Sequence, residues 1–332
     1  MGTRRHFVGT TLLAGLGIGL TDVMASPALK LMDKGKRVGI IGLDTSHSIA
    51  FTKLLNADVP SPDFKEYKVV AAYPWGSNTI ESGRERIPKY TKEMASMGVT
   101  IARSIDEVLD QVDVILLETH DGNLRLEQAM KIIESGKPVF MDKPFAASIA
   151  DVRKIVEASE KHKVPVFSSS SLRYTDKAMA IGEGKIVGKI MGASTYGPAY
   201  LEPTHPDLFW YGIHGVELLY TLMGTGCECV SCISTDGVEV VTGVWEGGRL
   251  GTFRGVRRDT IGFGGIAFGE NGNALVGEYT GYRPLLIKII EFFETRIPPV
   301  PLRETLEIYE FMQAAHDSKR QGGIQITLDS VH

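Results

Sequence analysis

Between residues 37 and 168, short uninterrupted apolar runs alternate with longer stretches whose apolar positions recur at helical spacing. The runs predict buried strands over 37–41, 67–72, 99–102, 112–118, 138–141 and 164–168. The stretches between them predict helices over 46–56, 84–97 and 123–135, the last ended by Gly136. Two more helices start at capping boxes, Ser104-Ile105-Asp106-Glu107 and Ser148-Ile149-Ala150-Asp151, where a serine hydroxyl takes an orphan amide of the first turn. Strands that are apolar along their whole length have both faces covered, which implies a parallel sheet between helices. Six strands in this rhythm predict a doubly wound domain of the dinucleotide-binding type over 36–172.

The pattern changes near Tyr174. Strand-like runs at 190–196, 229–234, 237–245, 249–257 and 274–279 are separated by short turns, which favours a mostly antiparallel sheet. One helix, 209–223, interrupts them and stops at Gly224. A glycine-rich patch at 262–272 is expected to be a mobile loop or hairpin tips. A last helix spans 302–320. The expected fold class is therefore α/β. An N-terminal Rossmann-type doubly wound parallel sheet is joined to a C-terminal α/β domain, 173–301, with a large open, mostly antiparallel sheet. A C-terminal helix and tail, 302–332, packs back on the first domain.

Composition adds bounds. The chain has 332 residues, 43% hydrophobic and 23% charged, with a net charge of −4. These values suit a soluble two-domain protein, and without a dense basic patch nucleic acid is not an expected partner. The first 25 residues differ. Arg4 and Arg5 precede an uncharged run rich in Gly, Leu and Ala, and Val23-Met24-Ala25 offers a cleavage point. This is the layout of a twin-arginine export signal, which predicts a periplasmic or otherwise exported protein with no stable membrane insertion after signal removal. A linker, 26–35, follows. All three cysteines lie in Cys227-Glu228-Cys229-Val230-Ser231-Cys232. No fourth ligand lies at zinc spacing. Strand alternation would put Cys227 and Cys229 on one face and Cys232 nearer the other. They are expected to be small buried residues, and no metal is expected.

Candidate chemistry gathers at predicted strand ends. The first strand and turn read Val38-Gly39-Ile40-Ile41-Gly42-Leu43-Asp44-Thr45-Ser46-His47. Against the dinucleotide fingerprint G-x-G-x-x-G, only the first glycine, Gly42, is present. Asp44 and His47 hold the other two glycine positions, where a carboxylate would repel phosphate and a large side chain would crowd helix against strand. Two readings stay open: a modified cofactor turn in which Thr45 and Ser46 supply donors, or a turn repurposed for another ligand. The second strand lacks the acid that reads a ribose 2′-hydroxyl. Ser77, Asn78 and Arg84 suit a 2′-phosphate or are solvated loop residues. Glu118-Thr119-His120-Asp121 fits the lip of a crevice. In Lys137-Pro138-Val139-Phe140-Met141-Asp142-Lys143-Pro144, the final proline holds Lys143 extended at the end of a strand, where open sheets bind ligands. Trp210, Tyr211, His214 and Glu217 fall on adjoining positions of the predicted 209–223 helix. His214 is either a satisfied core histidine or a general base.

The order of these segments is similar to the glucose–fructose oxidoreductase / inositol dehydrogenase / MocA family (Gfo/Idh/MocA). It runs from V-G-I-I-G through G-K-P-V-F-M-D-K-P and H-G-V-E-L-L-Y-T-L-M-G to the terminal E-T-L-E-I-Y-E-F-M-Q-A-A-H-D-S-K-R-Q-G-G, covering about residues 36–328. The resemblance implies an NAD- or NADP-dependent oxidoreductase acting on a sugar or polyol hydroxyl, as a homodimer or homotetramer. It implies Lys143 and His214 as catalytic residues. Cofactor contacts would come from Gly42, Asp44, Thr45, Ser46, His47, Thr119, His120, Asn123, Asp142 and Lys143. The sugar pocket would take Arg173, Tyr174, His205, Tyr211 and His214. The chain departs from the family in three places. Thr119, His120, Asp121 and Gly122 replace threonine-proline-asparagine-type residues after the fourth strand. Asp142 stands for glutamate beside the lysine, and Trp210 stands where an aspartate often precedes the histidine by four residues. Two alternatives accompany this expectation: a glycoside-cleaving enzyme that uses the cofactor transiently, and a sugar-binding or assembly protein that has lost hydride chemistry.

Overall fold

The computed structural model describes residues 35–258 and 261–331; the expected export signal lies outside the described residues. The first sheet has six strands: β1 Arg37–Ile41, β2 Lys68–Tyr73, β3 Thr100–Ile101, β4 Val114–Leu117, β5 Val139–Met141 and β6 Val166–Phe167. Their order is β3-β2-β1-β4-β5-β6, and every pair is parallel. The direction of winding therefore reverses between β1 and β4, which is where doubly wound sheets open a crevice at their carboxyl ends. Helices α1 Ser46–Leu55, α2 Glu81–Ser96, α3 Ile105–Leu109, α4 Arg125–Glu134 and α5 Ile149–His162 connect the strands. Both expected caps form, Ser104 Oγ accepting from the Glu107 amide and Ser148 Oγ from the Asp151 amide, each at 3.1 Å.

The second sheet follows α6 Asp176–Gly182 and contains β7 Ile190–Pro198, β8 Cys227–Ser234, β9 Val238–Trp245, β10 Arg249–Val256, β11 Gly264–Gly269, β12 Gly272–Leu275 and β13 Ile326–Thr327. The order is β12-β11-β7-β10-β9-β8-β13, antiparallel except for β7 beside β10. Among the described residues no helix is long and apolar enough to cross a membrane.

Several local expectations need correction. The helix over 209–223 is two pieces, α7 Asp207–Trp210 and α8 Ile213–Met223, broken at Tyr211 and Gly212. Trp210 therefore does not share a helix with His214. The glycine-rich patch contains an internal strand, β11, and the two-residue tip of its hairpin with β12, as well as a short loop before it. Its glycines are packing requirements: a Cβ on Gly264 would sit 2.4 Å from the Tyr196 hydroxyl, and one on Gly269 2.3 Å from the Val187 carbonyl. In β8 a register shift between Cys227 and Cys229 breaks the alternation, so Cys227 and Cys232 are buried while Cys229 is half-buried. The strand expected over 274–279 is β12, which ends at Leu275.

A helix without a sequence expectation, α9 Arg283–Thr295, closes one face of the first sheet. Its Leu285, Leu286, Ile289, Phe292 and Phe293 share a buried cluster with Phe51 of α1 and Phe140 and Phe167 of the sheet. The last helix, α10 Leu302–Arg320, lies against α5 of the first sheet's helical layer and also against β8 and α8 of the second. α10 thus ties the two sheets together.

Candidate active site

The carboxyl ends of β1, β4 and β5 open onto one cavity, lined among others by Thr45, Ser46, His47, Arg86, His120, Asp142, Lys143, Tyr211 and His214. Its volume is about 220 Å3, enough for one ring-sized group and less than the ~300–1,000 Å3 of an ordinary ligand pocket. Lys143 reaches it from just past the end of β5, and its own peptide bond to Pro144 is cis. Its ammonium stands 5.6 Å from the centre of the Tyr211 ring, and no carboxylate lies within 4.0 Å of it among the described residues. Burial lowers the Lys143 pKa, with Asp142 opposing that shift.

His214 enters from the first turn of α8. Its Nδ1 lies 2.7 Å from the Ser170 hydroxyl. Burial, then the charge of Lys143, pushes its pKa well below 6.5, so the imidazole is neutral near neutral pH. Ser170 is held in turn by α8, because Glu217 Oε2 accepts from the Ser170 amide at 2.7 Å. Ser170 thus supplies the partner that Trp210 does not. Trp210 packs between His120 and His205 in tilted arrangements, with ring centroids at 4.0 and 4.8 Å.

Asp44 and His47 do not obstruct the turn. The Asp44 carboxylate is fully buried under it and accepts from the Ser77 amide at 3.1 Å and the His120 amide at 2.8 Å. It bridges the ends of β2 and β4 instead of facing the cavity, and burial raises its pKa. His47 turns sideways, away from the space between helix and strand, and its Nδ1 meets Asp142 Oδ2 at 2.8 Å. Burial opposes ionisation of Asp142, but His47, Lys143 and Arg125 outweigh it and hold the pKa low. Gly42 is required at φ +95°, where a Cβ would lie 2.3 Å from the Thr119 amide nitrogen.

Other candidates lie elsewhere. Arg173 does not line the cavity. It is a buried cross-link, pairing with Glu217 at 3.1 Å and Glu304 at 2.7 Å. Tyr174 is buried in the apolar cluster of the first sheet. His205 is buried, its Nε2 accepting from the Gly122 amide at 2.8 Å. Thr119 is buried behind Gly42, and Asn123 bonds to Asp121 and the Thr204 carbonyl. Of the loop candidates for a phosphate, Ser77 is buried and donates to Asp121 at 2.8 Å, while Arg84 is exposed. The cavity has further lining residues outside the sequence expectation: Arg86, Phe263, Tyr279 and Tyr282. Arg86 lies two residues past Arg84 on the same helix, so the two face nearly opposite sides of it. Phe263, Tyr279 and Tyr282 come from loops of the second half and had none.

The residues fit a nicotinamide dinucleotide at its phosphate and nicotinamide ends. Thr45, the N-cap of α1, makes no capping bond to its helix, and its hydroxyl turns to Glu118 at 3.4 Å. The first-turn amides are left for an anion, which a helix N-terminus attracts. Arg86 adds a cation in the same cavity and donates to the Asp44 carbonyl at 3.2 Å. No acid reads the ribose at the end of β2; a Cβ on Gly76 there would lie 2.5 Å from Asp44 Oδ2.

Comparisons agree with this geometry. Residues 36–170 match the family described as "Oxidoreductase family, NAD-binding Rossmann fold", GFO_IDH_MocA. An uncharacterized oxidoreductase from Streptococcus pneumoniae is 26% identical over 152 residues, 41% of this chain and 41% of that protein, so the match spans under half of the curated relative. A probable dehydrogenase from Thermotoga maritima superposes with a TM-score of 0.74 at 18% identity, covering 89% of this chain and 100% of that one. A scyllo-inositol dehydrogenase from Lactobacillus casei, solved with NAD(H) and scyllo-inositol, gives 0.70 at 12% identity, covering 89% and 99%. Residues 36–170, which carry the first sheet, are thus an NAD-binding Rossmann domain of the Gfo/Idh/MocA oxidoreductase family.

Proposed function

We propose that this protein oxidises a hydroxyl group of a sugar or polyol, with a nicotinamide dinucleotide as acceptor, after export with the cofactor already held. The observation that carries this reading is the meeting of Lys143 and His214 in one cavity at the carboxyl ends of the parallel strands. His214 donates its Nδ1 proton to Ser170 and leaves Nε2 as the base for the substrate hydroxyl. The Lys143 ammonium polarises the same oxygen as negative charge develops on it. When bound, the nicotinamide supplies the hydride acceptor. Tyr211 and Phe263 provide apolar walls, and ring faces of this kind suit the C–H face of a sugar. Export is supported by the paired arginines at Arg4 and Arg5. Assembly into a homodimer or homotetramer is supported by the open sheet face, where Tyr196, Leu250 and Phe268 are exposed.

The test is to incubate the purified protein with inositols, monosaccharides and NAD or NADP and follow reduced-nicotinamide absorbance. Turnover with at least one polyol is expected. A bound cofactor that no sugar or polyol reduces would contradict the reading.

The pH profile follows from the two groups. His214 must be neutral, and its depressed pKa puts the acid limb of kcat/KM below pH 6.5. Lys143 must be charged, and its depressed pKa puts the alkaline limb below pH 10.5. Activity should therefore fall as His214 gains a proton on one side and as Lys143 loses one on the other.

Ser170 is a positioning residue. Ser170→Ala should lower kcat by roughly 10–100-fold, the scale of a misplaced catalytic group, with KM little changed. Ser170→Thr, which keeps a hydroxyl, should recover part of the loss. A purely structural role would predict equal effects of both variants and an unshifted acid limb.

A further inference from the structure

At the floor of the cavity, His47, Glu118 and Asp142 offer one ligand atom each, and these atoms lie within 4.8 Å of one another. Glu118 and Asp142 directly follow the neighbouring strands β4 and β5, and His47 stands in the first turn of α1, the helix that follows β1. All are at least nine-tenths buried. Buried polar atoms in folded proteins are nearly always hydrogen-bonded. Here His47 Nδ1, Glu118 Oε1 and Asp142 Oδ2 all lack an aligned hydrogen-bond partner. The other oxygen of each carboxylate is engaged, Glu118 Oε2 with the Thr45 hydroxyl at 3.4 Å and Asp142 Oδ1 with the Lys143 amide at 2.9 Å. One oxygen of each carboxylate is thus fastened to the fold, and one polar atom of each of the three residues is left without an aligned partner.

Proton sharing between His47 and Asp142 accounts for one edge of that triangle only. It leaves Glu118 Oε1 buried without an aligned partner. We propose that His47, Glu118 and Asp142 bind one divalent first-row transition-metal ion.

One imidazole and two carboxylates, without a thiolate, suit Mn2+, Fe2+ or Zn2+. Bonds of ~2.0–2.2 Å from each ligand place the donor atoms roughly 3–3.5 Å apart, so the triangle closes by small side-chain rotations. Three protein ligands leave a coordination position open, as catalytic metal sites do. His47 and Asp142 both line the cavity that holds Lys143 and His214, so a ligand oxygen entering there meets the ion as well. This site goes beyond the dehydrogenase reading and does not depend on it.

The experiment uses the full chain, stripped with chelator, and Mn2+ alone as probe, with free Mn2+ read by electron paramagnetic resonance. One saturable Mn2+ per chain is expected, weakened by at least ~100-fold in Glu118→Gln, more than the loss of a residue merely supporting a ligand. His47→Asn gives a second variant should Glu118→Gln fail to fold, and circular dichroism melts identify that failure. Absence of saturable Mn2+ binding by the wild type overturns the proposal, as does binding that a folded variant leaves unchanged. NAD titrated in parallel separates the two claims: metal without NAD refutes only the dehydrogenase reading, and NAD without metal refutes only this one.

Discussion

Lys143→Met should lower kcat by roughly 10²–10³-fold, the usual cost of removing one preorganised charge from a reacting oxygen. The side chain keeps its length and packing against Tyr211 but loses the ammonium. A second readout accompanies the loss. Burial and then the Lys143 charge keep His214 below its ordinary pKa, so the variant should move the acid limb of its residual activity upward toward 6.5. A variant that loses activity with the acid limb unmoved would place Lys143 too far from His214 to share a substrate oxygen. Steady-state rates between pH 5 and pH 9 decide this.

Arg173→Leu should destabilise the fold by about 3–5 kcal/mol, because it leaves buried carboxylates without their partner. Glu217 would lose its 3.1 Å contact and Glu304 its 2.7 Å contact. For a chain of this size the thermal midpoint should fall by roughly 5–10 °C. Glu217 also holds the Ser170 amide, so kcat should decline through a loosened His214 while KM for the sugar stays close to wild type. A raised KM with an unchanged melting temperature would return Arg173 to the sugar pocket, where sequence resemblance puts it.

Arg173 shows where sequence reading stopped. The six parallel strands were legible because residues such as Val38, Ile40 and Ile41 must be buried on both faces, and no other arrangement covers them. Lys143 was legible because a proline after a buried strand fixes where the strand ends. Charged residues away from strand ends were not, since their partners are set by the packing of distant elements. Arg173 meets Glu304 from α10, and His205 meets the amide of Gly122; no local pattern announces either.

The glycine positions of the first turn mark a second limit. Asp44 and His47 suggest a damaged motif when judged by side-chain size and charge alone. Their side chains turn under the loop and toward β5, and both amides that Asp44 accepts come from other strand ends. Such compensation is visible only once β2, β1 and β4 lie side by side. In contrast, α9 carried a readable signal. Pro284 stands at its first turn, a favoured place for proline, and Leu285, Ile289 and Phe292 follow at helical spacing. Tyr282, just before it, packs 4.3 Å from the His47 ring, so overlooking the helix also hid part of the cavity wall.

The most direct measurement is an equilibrium titration of the stripped protein with NADH or NADPH, followed by energy transfer from tryptophan to the nicotinamide. A saturable signal, reversed by the oxidised cofactor and weakened by Arg86→Ala, is the predicted result. Absence of transfer with either reduced cofactor, by protein whose melting curve shows it folded, would contradict the assignment of the strand-end cavity to a nicotinamide dinucleotide.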